Sequence, residues 1–104
     1  MKIIDVTSEN FESEVLNSKV PVLVDFNADW CGPCRMVRPV LDELANESDD
    51  YKIVSVNVDD EEELAAKYSV SSIPCMVLMK DGNEVSRSIG LRPKSELKEF
   101  LGGK

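Results

Sequence analysis

The sequence predicts an α/β fold: a central mixed sheet of five strands, with four helices distributed over both of its faces. Three observations predict it. Apolar β-branched segments alternate with segments of helical spacing, the pattern of strand–helix–strand units joined by right-handed crossovers. The run Val20 to Phe26 is almost entirely apolar, as a strand covered on both faces must be. Asp81-Gly82 is a strong hairpin signal, so the last two strands pair antiparallel and make the sheet mixed.

The elements follow in order. Lys2 to Asp5 reads as a short edge strand. Ser8 is the expected N-cap of a first helix whose stripe is Phe11, Val15 and Leu16. After the strand Val20 to Phe26 come Met36, Val37, Val40, Leu41 and Leu44 at helical spacing. Pro39 interrupts this helix, removing one backbone donor, and should kink it. Lys52 to Val58 alternates and is β-branched, so it is a strand. Asp60 with Glu63 resembles a capping box for a helix Glu61 to Tyr68. Cys75 to Lys80 and Glu84 to Ile89 are the arms of the hairpin. Pro93 suits the first turn of a last helix that buries Leu97, Phe100 and Leu101.

A chain of 104 residues, 42% hydrophobic, can build one core without metals or disulfides, and residues 1–104 are expected to form a single domain. Twelve basic and twenty acidic residues give a net charge of −8. That balance disfavours nucleic acid and anionic membranes as partners. It serves solubility, or alternatively steering toward basic-rimmed partners. The N-terminal stretch turns acidic before any apolar run of secretory length, and no run approaches membrane-spanning length. A cytoplasmic, soluble protein is therefore expected. There thiols stay reduced, so a cysteine pair is catalytic or metal-binding rather than structural. There are three cysteines and no histidine.

Trp30-Cys31-Gly32-Pro33-Cys34 carries the chemistry. The two cysteines fall where a buried strand ends and a helix begins. Free N–H groups and the positive end of the helix dipole stabilise a thiolate there. The thiolate is the nucleophile of disulfide exchange. Positions three apart on a helix place their Cβ atoms about 5–6 Å from each other, close enough for a disulfide after modest adjustment. Gly32 permits close approach, and Pro33 lacks an N–H that would have had no helical partner. Cys31, at the exposed start, is the expected attacker, and Cys34, one turn inside, the expected resolver. The competing reading is half a metal site. A tetrahedral zinc site needs four ligands, and one Cys-x-x-Cys, a single further cysteine and no histidine do not supply them, so no metal is expected.

Asp25 interrupts the apolar run Val22-Leu23-Val24-Asp25-Phe26. An unpaired buried carboxylate is costly and has a raised pKa. Either Asp25 faces an edge and is solvated, or it serves the site, where it would exchange a proton with Cys34.

These residues resemble the thioredoxin family, of the Cys-Gly-Pro-Cys type, over nearly the whole chain. Val24-Asp25-Phe26, Arg35, Pro39, Ile73-Pro74, Lys80-Asp81-Gly82, Gly90 and Leu97-Lys98-Glu99-Phe100-Leu101 extend the match beyond the cysteine motif. The resemblance implies the thioredoxin fold and a general protein-disulfide reductase. Its only redox group would be the disulfide Cys31–Cys34, with no other cofactor. It also implies recharging by a thioredoxin reductase, disulfide-containing client proteins, a monomer, a cis Pro74, and a client groove around Trp30, Ile73, Pro74 and Gly90. Trp30 is alternatively plain packing. Relatives that oxidise or isomerise disulfides usually carry another dipeptide than Gly32-Pro33, often with histidine. A binding domain that merely reuses the fold would not need both cysteines and Asp25.

Three residues depart from the family pattern. Asn27 stands where an aromatic is common and should alter packing beside the motif. Ser55 stands where Lys is common, near the buried acid, so Asp25 lacks that charge. Cys75 stands where Thr is usual. It is either a small buried replacement or a third thiol near the redox pair.

Overall fold

The computed structural model describes residues 1–102, and residues 103 and 104 of the expected 1–104 domain lie outside them. Five strands form one sheet: β1 Ile4–Asp5, β2 Val22–Asn27, β3 Lys52–Asn57, β4 Cys75–Lys80 and β5 Asn83–Ile89. The strand order is β1-β3-β2-β4-β5. β1 and β2 both run parallel to β3, whereas β4 runs antiparallel to β2 and β5. The helices are a π-helical stretch Glu12–Leu16, α1 Gly32–Glu47, α2 Glu62–Lys67 and α3 Lys94–Phe100. The mixed five-stranded sheet and four helices are those expected from the sequence.

Alternation along β2 divides the core. Val22, Val24 and Phe26 face the π-helical stretch and α2, among Phe11, Val15, Leu64 and Val77. Leu23 faces α1 and α3, among Val37, Leu41, Leu44, Met76 and Leu97. The central strand is thus apolar on both sides, and helices cover both faces. β5 is the exposed edge. Its hairpin turns through Asp81 and Gly82, both at positive φ (51° and 81°). That is the geometry of a two-residue turn whose twist matches the strands.

Three local expectations give way to neighbouring side chains. Ser8 does not cap the first helix, which begins beyond Phe11 with no side-chain cap. A turn forms first instead: the Thr7 amide donates to Asn10 Oδ1 (2.7 Å), and Thr7 Oγ1 accepts the Glu9 amide (3.2 Å). Asp60 and Glu63 make no capping box at α2. Asn57 does that work, its Oδ1 accepting the amides of Asp59 (2.9 Å) and Asp60 (3.3 Å). Met36 is not part of the buried stripe of α1 and is 64% exposed, while Val37, Leu41 and Leu44 are buried. Pro39 sits inside α1 on its exposed side, and α1 continues through it to Glu47.

This division sets a contrast within one helix. Leu41→Ala should lower stability by about 2–5 kcal/mol, the range for a buried leucine. Met36→Ala should stay within about 0.5 kcal/mol of the native protein. Urea unfolding measures both, and equal losses would contradict the assigned helix face.

Candidate active site

The end of β2 and the start of α1 build the site. Cys31 occupies the N-cap of α1 in extended backbone geometry (φ −84°, ψ 110°). Its Sγ accepts the amide of Cys34 at 3.2 Å. A side-chain acceptor at this position meets an N–H that the first helical turn cannot satisfy internally. Here the acceptor is sulfur, so the same interaction favours its anionic form. Pro33 lies inside the first turn, where its missing donor costs nothing. Cys31 and Cys34 form a disulfide, with Cα atoms 5.2 Å apart.

The expected exposure difference between the two cysteines is absent. Cys31 is 4% and Cys34 5% exposed in this disulfide form, packed with Ala28 and against Ile73 and Val58. What separates them is their place on the helix: one sulfur receives a backbone amide, and the other residue donates it.

Trp30 is 68% exposed, and its Nε1 donates to Asp59 Oδ2 at 2.9 Å. The ring is therefore held at the surface rather than packed into the core. The Ile73–Pro74 peptide is cis. The Gly90 amide donates to the Pro74 carbonyl at 2.8 Å, and Gly90 adopts φ +92°, a conformation glycine accepts without strain. Pro74 and Gly90 thus adjoin, and Ile73 reaches the cysteine cluster.

Asp25 lies on the α1 side of the sheet and is 2% exposed. β3 opposes it with Ser55 and β4 with Met76. Burial raises its carboxyl from 3.8 to about 7, against lowering by Arg38 and by a hydrogen bond from Asn27. The Asn27 side-chain amide donates to the Asp25 carbonyl (2.9 Å), to Asp25 Oδ2 (3.3 Å) and to Ser55 Oγ (2.8 Å). Asn27 therefore ties the acid to β3. Oδ1 of Asp25 has no hydrogen-bond partner among the described residues. The solvated-edge reading of Asp25 does not hold.

Cys75 is buried and unpaired in the cluster with Phe26 and Val77, on the opposite face of the sheet from Asp25. Burial raises its thiol pKa. It is part of the apolar core and lies outside the cluster that holds the redox pair. Two residues near the site were missed in the sequence. Arg38 had a usable signal, since it falls one helical turn after Cys34. Asp59, the partner of Trp30, had none.

Among the described residues no three His, Cys, Asp or Glu side chains converge as a metal site, and no helix is long and apolar enough to cross a membrane. A disulfide at a helix N-terminus beside a buried acid is the site of a thiol–disulfide oxidoreductase. Comparison with known proteins narrows the class. The Thioredoxin family profile matches residues 2–102. Thioredoxin 1 of Synechococcus elongatus is 50% identical over 97 residues, covering 92% of this chain and 91% of its own. The thioredoxin of Haemophilus influenzae is 46% identical over 101 residues, 96% of this chain and 94% of its own. That of Bacillus subtilis is 46% identical over 102 residues, 97% of this chain and 96% of its own. The chain belongs to the thioredoxin family.

The acid gives a stability prediction with a definite sign. The unfolded chain releases the Asp25 proton near 3.8 and the folded chain near 7. Between these values the folded state holds a proton that the unfolded state lacks, so stability falls as pH rises through the window. A shift of that size corresponds to roughly 4 kcal/mol when complete. Asp25→Asn should remove this loss, so its stability advantage over the native protein should grow by a few kcal/mol between about pH 4 and about pH 8. Urea unfolding at both values measures it. A constant difference would show that Asp25 is not a buried titrating acid.

Proposed function

We propose that the chain is a general reductant of protein disulfides in which Cys31 attacks and Cys34 resolves. The observation that carries this reading is the Cys31 sulfur at the N-cap of α1, accepting the Cys34 amide. Of the two sulfurs it is the one the helix end stabilises as a thiolate.

The exchange balances in two steps. The Cys31 thiolate attacks one sulfur of a client disulfide, and the client's other sulfur leaves as a thiolate that takes up a proton. Cys34 then gives its proton to the Asp25 carboxylate and attacks Cys31 Sγ. The Cys31–Cys34 bond forms, the mixed disulfide breaks, and the client's second thiolate leaves. Two electrons pass from the protein dithiol to the client. A thioredoxin reductase returns two electrons to Cys31–Cys34, so the disulfide itself is the only redox group required.

The client face comprises Trp30, Ile73, Pro74 and Gly90. The exposed indole of Trp30, adjacent in sequence to Cys31, and the packing of Ile73 against the disulfide cluster support it. The acidic surface suits protein clients rather than nucleic acid. The chain acts as a single-domain monomer in the cytoplasm.

Insulin reduction driven by a dithiol reductant tests the reading. Cys31→Ser should abolish the activity. Cys34→Ser should arrest as a mixed disulfide, visible as a client-sized mass increase that a reductant removes. Arrest through Cys34 in the Cys31→Ser protein would invert the assignment. Redox titration should place the pair on the reducing side of the cytosolic glutathione pool, and an oxidising potential would make the protein a disulfide donor instead.

A further inference from the structure

Asp25 is buried, yet one cleft reaches it from the surface and a second adjoins the first. The first, about 270 Å³, is lined by Asp25, Asn27, Cys34, Arg35 and Arg38 among others. The second, about 420 Å³, shares Asn27, Asp29 and Arg38 with the first, and extends past Ser55 to Asp5, Asp60 and Glu61. Each far exceeds the roughly 10–15 Å³ that one water needs, and each is lined by polar groups able to hold water.

The charges around the carboxyl are unevenly matched. Asp29, Asp5, Asp60 and Glu61 line the clefts with negative charge, which disfavours a further carboxylate. β3 contributes Ser55 and β4 contributes Met76, neither charged. Cys75 of β4 lies on the other face of the sheet. The cations come from α1. Arg35 donates its guanidinium to the Asp29 carbonyl at 2.7 Å and is thereby committed to the loop. Arg38 lines both clefts, with Nε 3.4 Å from Asp42 Oδ1 as its only side-chain pairing among the described residues. It stands one helical turn beyond Cys34, on the side of α1 that reaches Asp25.

We propose that Arg38 is a positioning residue for disulfide exchange: across the cleft it stabilises the ionised carboxylate of Asp25 and so sets the pH above which Asp25 accepts the Cys34 proton. The inference rests on the proton-acceptor role given to Asp25 above. The step is a proton transfer alone. Cys34 Sγ–H and the Asp25 carboxylate become a Cys34 thiolate and a carboxylic acid, and the acid later releases the proton to water in the cleft. Arg38 is the one cation that opposes the desolvation of Asp25. Its side chain is 42% exposed, so water screens its charge and its influence is moderate.

The test follows the carboxyl and the exchange separately. Carbon NMR of the Asp25 carboxyl in the oxidised protein gives its titration midpoint. Arg38→Gln should raise that midpoint by roughly half a pH unit. The pH profile of mixed-disulfide resolution should move in the same direction. Arg38→Lys, which keeps the charge, should return both most of the way to native. A midpoint unmoved in Arg38→Gln, with its fold verified by thermal unfolding, would overturn the assignment. So would Arg38→Lys behaving like Arg38→Gln, since a structural role would not distinguish charge from shape. Failure of the underlying reading looks different: Asp25→Asn would then resolve mixed disulfides with the native pH profile.

Discussion

The site depends on keeping one carboxyl inside the central strand. Removing Asp25 from water favours its neutral form strongly enough to bring its titration close to neutral pH. A solvated aspartate would be ionised throughout that range and could not exchange a proton usefully with a thiol. The fold bears the resulting instability on apolar burial elsewhere. β2 is covered on both faces, and α1 and α3 close over the side on which Asp25 lies. The polar partners of the acid are few and specific. Asn27 holds one carboxylate oxygen and the strand beside it, Ser55 completes that link, and Arg38 supplies a distant positive charge.

The disulfide is organised by a different but adjacent constraint. β2 ends at Asn27, and four residues later the chain must begin a helix with its first amides unpaired. Placing sulfur at the N-cap satisfies one of those amides and polarises the sulfur at the same time. The helix then returns Cys34 and, one turn later, Arg38 toward the strand it has just left. Thus a single strand–helix junction brings together the nucleophile, the resolving thiol, the acid and the acid's counter-charge. Pro74 and Gly90 approach from the other side because β4 and β5 pair antiparallel, so the start of one lies beside the end of the other.

Much of this was legible in the sequence because it follows from short-range rules. The both-faces-apolar run of β2 with one acid in it, the hairpin at Asp81-Gly82, and a Cys-x-x-Cys opening a helix all leave marks within a few residues. What was not legible depends on contacts distant in sequence. Ser8 looked like a cap because caps are read from residue type, but Thr7 and Asn10 closed a turn before the helix could start there. Asn57, at the end of a strand, took the amides that Asp60 and Glu63 were expected to serve. Met36 satisfied helical spacing but fell just outside the arc of α1 that the sheet covers. The burial of Cys31 depends on Ala28, Ile73 and Val58 converging on it, and no spacing rule brings those three together.

Strand parity also decides the third thiol. Asp25 and Cys75 belong to neighbouring strands, yet Asp25 pairs with Met76, whereas Cys75 pairs with Phe26. Directly opposed residues share a face, and successive residues alternate. Cys75 therefore shares the side of Phe26, away from α1, for the same reason that Asp25 and Met76 share the side of α1. Bringing Cys75 to the α1 face would require a one-residue slip of β4 against β2, and that slip would expose Met76 and Leu78 to the wrong core. The register that places the buried acid on the side of the redox pair is thus the same register that keeps the remaining thiol away from it.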